Sequence, residues 1–337
     1  MDKAKYVEKV TSLLDTDNFK EQLTDKTKSS EEAVQRILLK NKTAIGEEMY
    51  SKIYPSGSNP GKFYGTAKVH KVKPEEQDKI EKLPLRPIIS NIGTATHKTA
   101  QYICNLLAPL SKSKYTVLNT KDFVDNIKTT KAPIGYVAIS FDVVSLFTNV
   151  PLRDTIDIIL KKVYDEQLIK TKITRQNLKK LLLVCTQGTP FTFNNKMYMQ
   201  TDGVMMGSPL GALFENIFMC ELENKNTIIP SLGDKVCQWK RYVDDTFAFI
   251  KPNMEQEIQL ALNSFHENIK FTYELEQDNN ISFLDVLITR ENNGNMETGV
   301  YRKPTHTDVY LNCTCTKHLE NINCQKFGET CVQSLFK

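Results

Sequence analysis

Four residues, Tyr242-Val243-Asp244-Asp245, constrain this chain more than any other stretch. They lie between two strand-like runs, 236–243 and 246–250, a spacing that predicts a hairpin with the acid pair at its tip. Trp239, Tyr242, Val243, Phe247, Phe249 and Ile250 make the surroundings apolar. Two carboxylates among such side chains repel each other and raise a pKa unless positive charge is supplied. A divalent cation supplies it, since Mg²⁺ takes oxygen ligands from one or two carboxylates plus phosphates. Asp is also a common turn residue, so the pair alone reads more readily as a solvated turn. Two non-glycine residues at so tight a tip carry backbone strain, which functional sites tolerate more often.

A third carboxylate stands at the end of another β-prone run. Residues 136–141 read as a short strand, and FDVVSLFTNVP (141–151) places Asp142 directly after it. Alone, Asp142 is as readily a turn or cap residue. An acid at one strand end beside an acid pair on a neighbouring hairpin forms a site for two metals about 4 Å apart. One would activate a primer 3′-hydroxyl and the other would hold a triphosphate and its leaving pyrophosphate, so catalysis would be positioning plus charge neutralisation.

The rest of the chain supplies a mixed scaffold. Helical spacing predicts helices over 31–40 (Val34, Ile37, Leu38 inward), 96–107 (Ala100, Ile103, Leu106, Leu107 inward), from Pro151 onward, over 209–224 and over 255–269. Residues 51–62, with Pro, Gly, Ser and Asn, read as loop. Residues 192–200 alternate like a strand or hairpin, and 271–275 and 283–289 read as strands. Mixed elements with an adjacent-strand hairpin indicate an α+β domain.

Composition excludes some classes. No apolar run of about 18 residues is present, so no membrane-spanning helix is expected. The start MDKAKYVEKV lacks an apolar signal region, and the eight cysteines do not suggest a disulfide frame for 337 residues. A nuclear or cytoplasmic protein with reduced thiols is expected. The net charge of +4 is unevenly spread. Residues 1–135 carry 23 Lys and Arg against 16 Asp and Glu, a balance of +7, and the remainder sums to −3. Residues 51–73 hold five lysines and no acid. Such a front half suits phosphate contact, although charge alone reads more readily as a solvated lysine surface.

FDVVSLFTNVP, GVMMGSPLGALFENIFM (203–219) and YVDD, in that order, resemble motifs A, B and C of reverse transcriptases. FYGTAKVHK (63–71), LRPIIS (85–90), NISFLDVLITR (280–290) and VYRKPTHTDVYLN (300–312) resemble the Penelope-like retroelements, whose polymerases are related to telomerase. DKAKYVEKV (2–10) is similar to a segment of that family's fingers region. The resemblance implies a right-hand polymerase fold: fingers over 1–135, a palm over 136–290 with an antiparallel sheet backed by helices, and a thumb-side or helix-turn-helix connection over 291–337. It implies an RNA-directed DNA polymerase using two Mg²⁺ or Mn²⁺ ions, an RNA template, a DNA primer and deoxynucleoside triphosphates. Asp142 and Asp244 become metal ligands and Asp245 the accessory acid. Phe147 becomes a steric gate against a ribose 2′-hydroxyl, where the residues alone suggest core packing. Lys68 and Arg86 grip the triphosphate, Lys as a point charge and Arg as a fork. Gly207, Ser208 and Pro209 form the motif B turn, with Asn216 in the helix beyond. Lys270 falls where motif D places a proton donor, and Asp285 in the FLD segment is expected to be structural.

Three departures point toward a truncated copy. Motif B carries Glu215 where a small residue is expected, and an acid near a template is electrostatically unwelcome. The lysine-glycine-asparagine segment upstream in the family is missing, as is a following GIY-YIG endonuclease. The alternative reading is therefore a catalytically weakened nucleic-acid-binding relic. The tail holds Cys313, Cys315, Cys324 and Cys331 with His306 and His318, whose spacing fits structural thiols better than a zinc knuckle. Oligomeric state is not legible.

Overall fold

The first helix, α1 (Lys3–Leu14), begins where Asp2 can cap it. The Asp2 carboxylate accepts from the N–H groups of Ala4 and Lys5, two of the donors that a helix start leaves open. A computed structural model describes residues 2–303 except 17, 69–71, 73–81, 202, 225 and 226. Contacts divide the chain into two units, residues 1–113 with 145–224 and residues 114–144 with 225–337. The tail cysteines and histidines, and nearly all of the 300–312 segment, lie outside the described residues.

In the first unit, strand β1 (Phe19–Gln22) leads to α2 (Thr27–Lys40). This helix starts four residues before the expected 31–40, because Asp25 accepts from both the N–H and the hydroxyl of Thr27 and begins the turn. Helices α3 (Lys42–Ile45) and α4 (Glu47–Ile53) follow, then β2 (Gly61–Ala67) and β3 (Leu85–Ser90). The loop expected over 51–62 is thus confined to 54–60: Pro55 stops the helix, and the strand starts as soon as Pro60 is passed. Helix α5 (His97–Leu107) matches the expected 96–107 and buries Ala100, Ile103 and Leu107.

Five strands form this unit's sheet in the order β1-β6-β5-β2-β3, with β5 (Pro190–Phe193) and β6 (Lys196–Gln200) joined as a hairpin. Asn194 and Asn195 both have positive φ (45° and 62°), the requirement of a two-residue hairpin turn whose twist matches its strands. One face of the sheet is apolar. Phe63, Leu85, Ile89, Phe191 and Tyr198 meet Val10 and Leu14 of α1 there, with the Phe63 and Phe191 rings stacked at 5.6 Å. The remaining helices are α7 (Leu146–Asn149), α8 (Leu152–Leu160), α9 (Arg175–Gln187) and α10 (Pro209–Leu222). Helix α10 is apolar nearly all round, as befits a helix packed against α5, α7 and α8 together.

The second unit is built on β4 (Val137–Val143), preceded by α6 (Thr120–Lys128) and followed by α11 (Ile228–Ser231), β7 (Val236–Tyr242) and β8 (Asp245–Ile250). Helix α12 (Glu255–Asn263) and β9 (Phe271–Leu275) come next. The sheet order is β7-β8-β4-β9, all antiparallel. Helix α12 ends well short of the expected 269. The Asn263 side-chain oxygen accepts from the Phe271 N–H and turns the chain into β9.

A second, three-stranded sheet holds β10 (Asn280–Phe283), β11 (Val286–Arg290) and β12 (Met296–Val300). The single strand expected over 283–289 is two strands. Leu284 and Asp285 both take positive φ (50° and 60°) and make the turn between them. Phe283 contacts Phe123 (4.6 Å) and Phe247 (6.0 Å), so this sheet and α6 share one core with Phe247 and Phe249 of β8. Each such buried phenylalanine contributes about 1.5–3 kcal/mol. No helix among the described residues is long and apolar enough to cross a membrane.

Candidate active site

Strands β4 and β8 pair from Val137 opposite Ile250 to Phe141 opposite Thr246. The same register, carried one residue further, sets Asp142 opposite Asp245. Directly opposed residues of an antiparallel pair lie on one face with Cβ atoms about 4.5–5.5 Å apart. By alternation that face also carries Phe247 and Phe249, members of the aromatic core. On its other flank Asp142 is paired with Thr272 of β9, whose hydroxyl donates to the Asp142 carbonyl. The two acids therefore sit where the sheet's apolar face meets its open end: Asp142 is exposed and Asp245 half-buried.

Tyr242 pairs with Asp245, so the tight turn consists of Val243 and Asp244. The expected hairpin is present with its tip one residue earlier, and Asp245 already belongs to β8. Val243 has φ +55°, while Asp244 is not among the positive-φ residues. Positive φ at only the first central position is the pattern of a type II′ turn, which favours glycine there. A β-branched residue in this region costs about 1–2 kcal/mol, because its Cβ crowds the carbonyl that follows.

Arg241 holds the strained residue. Its side chain is wholly buried, and its guanidinium donates to the Val243 carbonyl at 3.0 Å. Its own backbone is fixed on both sides, donating to the Tyr115 carbonyl and accepting from the Val117 N–H, each at 2.8 Å. Arg241 is not among the site residues expected from sequence. A signal was present: Arg241 alternates with Trp239 on the inward side of β7, and a cation at an inward position needs a dedicated partner.

Burial pushes the Asp245 carboxyl up to about 7, and the charges of Asp244, Asp142 and, less strongly, Asp285 push the same way. Lys303 alone opposes them. Asp285, expected to be structural, is thus also a fourth acid within electrostatic reach. Its backbone does have a structural part, its carbonyl accepting from the Tyr301 N–H. Oxygen donors crowded until one resists ionisation are suited to a hard divalent cation. Among the described residues, however, no three His, Cys, Asp or Glu side chains converge as a ready-made metal-binding group. Mg²⁺ does not require one, since it is commonly held by one or two carboxylates with substrate phosphates completing its shell.

The other expected site residues lie in the first unit. Gly207, at φ +107°, is pressed against β3: a β-carbon there would stand 2.4 Å from the Ile89 carbonyl oxygen, so only glycine fits. The Ile89 N–H in turn donates to the Met206 carbonyl. Ser208 caps α10 with its hydroxyl accepting from the Leu210 N–H, and Pro209 occupies the first helical position, where its missing N–H costs nothing. Phe147 in α7 is half-buried, its carbonyl accepts from the Val204 N–H at 3.4 Å, and its ring lies beside Gly211. Arg86 is exposed on β3 opposite Thr66; Lys68 follows β2 and its N–H donates to the Pro84 carbonyl. The Asn216 amide donates to the Ala212 carbonyl within α10. Glu215 is wholly buried in that helix and is not presented to solvent. In the second unit, exposed Lys270 precedes β9 and its carbonyl accepts from the Val144 N–H.

No protein-family model matches the chain, and no curated protein matches it. Among solved structures, telomerase from Candida albicans in complex with a fragment of telomeric RNA is similar at a TM-score of 0.52 and 11% identity, over 76% of this chain and 49% of that one. An insertion-loop deletion mutant of the RNA-dependent RNA polymerase of a human picobirnavirus is similar at a TM-score of 0.53 and 10% identity, over 89% of this chain and 66% of that one. The chain spans about half the length of the telomerase chains it matches. These likenesses show an α+β fold of the right-hand polymerase kind.

Proposed function

We propose that this chain is a template-directed nucleic-acid polymerase, and specifically an RNA-directed DNA polymerase of the Penelope-like retroelement type. The observation that carries the reading is the opposition of Asp142 and Asp245 across β4 and β8, next to the strained Val243-Asp244 turn. In this reading residues 1–135 act as fingers, 136–290 as palm and 291–337 as thumb-side connection. Asp142, Asp244 and Asp245 hold a pair of Mg²⁺ or Mn²⁺ ions, which supply charge neutralisation at the attacking primer 3′-hydroxyl and the leaving pyrophosphate. Lys68 and Arg86 bind the phosphates of the incoming deoxynucleotide. Phe147 crowds the ribose 2′ position, and the Gly207-Ser208-Pro209 turn lets backbone approach nucleotide and template. Asn216 of α10 contributes to binding that nucleotide.

Primer extension on an RNA template with Mg²⁺ or Mn²⁺ tests the proposal. The native chain should incorporate deoxynucleotides and Asp244→Asn should not. Equal incorporation by both removes catalysis from this site. Phe147→Ala should admit ribonucleotides. Strong ribonucleotide use by the native chain, unchanged by that substitution, would instead favour an RNA-dependent RNA polymerase, a class whose fold is equally similar.

The second reading, a binding relic without catalysis, draws on the altered motif B, which carries Glu215 where a small residue is expected. It predicts salt-sensitive binding to an RNA–DNA duplex through the backbone, with no extension.

A further inference from the structure

Helix α10 contains a glycine that its backbone does not require. Gly211 is the third residue of the helix, it is buried, and its N–H donates to the Ser208 carbonyl at 3.0 Å. It is not among the positive-φ glycines. Alanine would serve the helix better, because glycine gives up more freedom on folding. Gly207 differs, being fixed by its φ as well as by its neighbour. The reason for Gly211 therefore lies in what surrounds it. A β-carbon at 211 would stand 3.0 Å from the Met205 carbonyl oxygen, and 3.5 and 3.7 Å from Cε1 and Cδ1 of Phe147. Phe147 is thus the side chain nearest the missing methyl.

The two ring distances are ordinary van der Waals contacts, and only the Met205 oxygen would have to give by a few tenths of an ångström. A methyl would therefore fit and would prop the ring. In the native chain the Cδ1–Cε1 edge faces a bare α-carbon instead, and the contacts a methyl would make are forfeited. The backbone of Phe147 is better held than its ring. Helix α7 is one four-residue turn entered through Ser145 at φ +52°, and the Phe147 carbonyl accepts from the Val204 N–H at 3.4 Å. Phe147 is half-buried, so part of the ring stays open to a substrate. A wall that excludes a substituent by crowding works only as far as packing behind it stops it from moving. We propose that Gly211 is a positioning residue for sugar selection. By leaving the inner edge of Phe147 without a prop, it makes the ring a yielding wall, and the chain accepts ribonucleoside triphosphates at a reduced but measurable rate. The proposal rests on the polymerase reading and on Phe147 as the group that crowds the ribose 2′ position.

The test is single-nucleotide insertion by the full chain on a primed RNA template with Mg²⁺, read as the ratio of kcat/KM for a deoxynucleoside triphosphate to that for its ribonucleotide. Gly211→Ala should raise this ratio about tenfold, within the range that one hydroxyl against an apolar wall allows. Gly211→Ser, with its β-carbon in the same place, should raise it likewise. In a Phe147→Ala background the Gly211→Ala change should move the ratio by less than about twofold, since the residue it props is gone. A measurement on the native chain alone needs no variant to fold. Its kcat/KM should fall gradually through 2′-deoxy, 2′-fluoro, 2′-hydroxyl and 2′-O-methyl nucleotides, as a yielding wall requires. An abrupt stop at the hydroxyl in the native chain, an unchanged or lowered ratio in Gly211→Ala, or a full Gly211→Ala effect without the Phe147 ring overturns the proposal. The underlying reading fails in a different way. Absent extension, or a ratio that Phe147→Ala does not move, removes the gate itself and this proposal with it, whereas a ratio that responds to Phe147→Ala and not to Gly211→Ala removes this proposal alone.

Discussion

The guanidinium of Arg241 donates to the carbonyl oxygen of Val243, two residues on and at the strained first position of the acid turn. Strain and restraint are therefore adjacent in the chain. Arg241→Met should lower stability by about 1–3 kcal/mol, through loss of a charged hydrogen bond in a buried place. Val243→Gly should raise it by about 1 kcal/mol, since glycine adopts positive φ without penalty. Urea denaturation of both variants measures the pair. A stabilised Arg241→Met protein would show that the bond does not constrain the turn.

Asp245 gives the protein a pH dependence of defined sign. Its carboxyl holds a proton up to about pH 7 in the folded chain, far above the ordinary carboxylate range. The native state therefore binds more protons than the unfolded state between about pH 4 and 7. Stability should fall as pH rises through that window and level off above it. The loss should be about 2 kcal/mol, after discounting for the partial exposure of the group. Asp245→Asn should flatten the profile, and millimolar Mg²⁺ should shift the fall toward lower pH. Thermal melting from pH 4 to 8, with and without Mg²⁺, checks all three.

Asp285 acts on the same group from the neighbouring hairpin. Asn tolerates the positive φ that this turn position demands, so Asp285→Asn should keep the turn while removing one repelling charge. The midpoint of the Asp245 transition should move toward lower pH. An unmoved midpoint, read by carboxyl-labelled NMR, would confine Asp285 to its backbone role.

Gly207→Ala should cost about 2–4 kcal/mol, because the added carbon has neither space beside the Ile89 carbonyl nor a favourable φ. Gly57→Ala makes a useful contrast, being at positive φ with open space around it, and should cost about 1 kcal/mol. Chemical denaturation of the two variants separates crowding from backbone conformation.

How much of this was legible depended on whether a signal was local. The acid hairpin and the helix from Pro209 were readable, and 192–200 was legible as strand or hairpin, because alternation and proline act over a few positions. Strands β2 and β3 were not. Gly65 and Pro87 interrupt them and Lys62 and Arg86 break their apolar pattern, so only pairing within the sheet identifies them. Leu284-Asp285 reads as strand from sequence, since nothing in LD announces two residues at positive φ. For the site, the three acids stood out by type. Arg241 did not, because its importance lies in being buried, a property decided by Trp239 and the Tyr115–Val117 segment rather than by its neighbours in sequence.

The facing of Asp142 and Asp245 has one more implication, concerning chain length instead of chemistry. Side chains along a strand alternate, so a single residue inserted between 137 and 142 would send the first carboxylate to the back of the sheet with every acid still encoded. Two inserted residues would return it to the front but displaced by a full repeat. What this region must conserve is a count, and an even-versus-odd insertion series read by folding and extension together would expose that arithmetic.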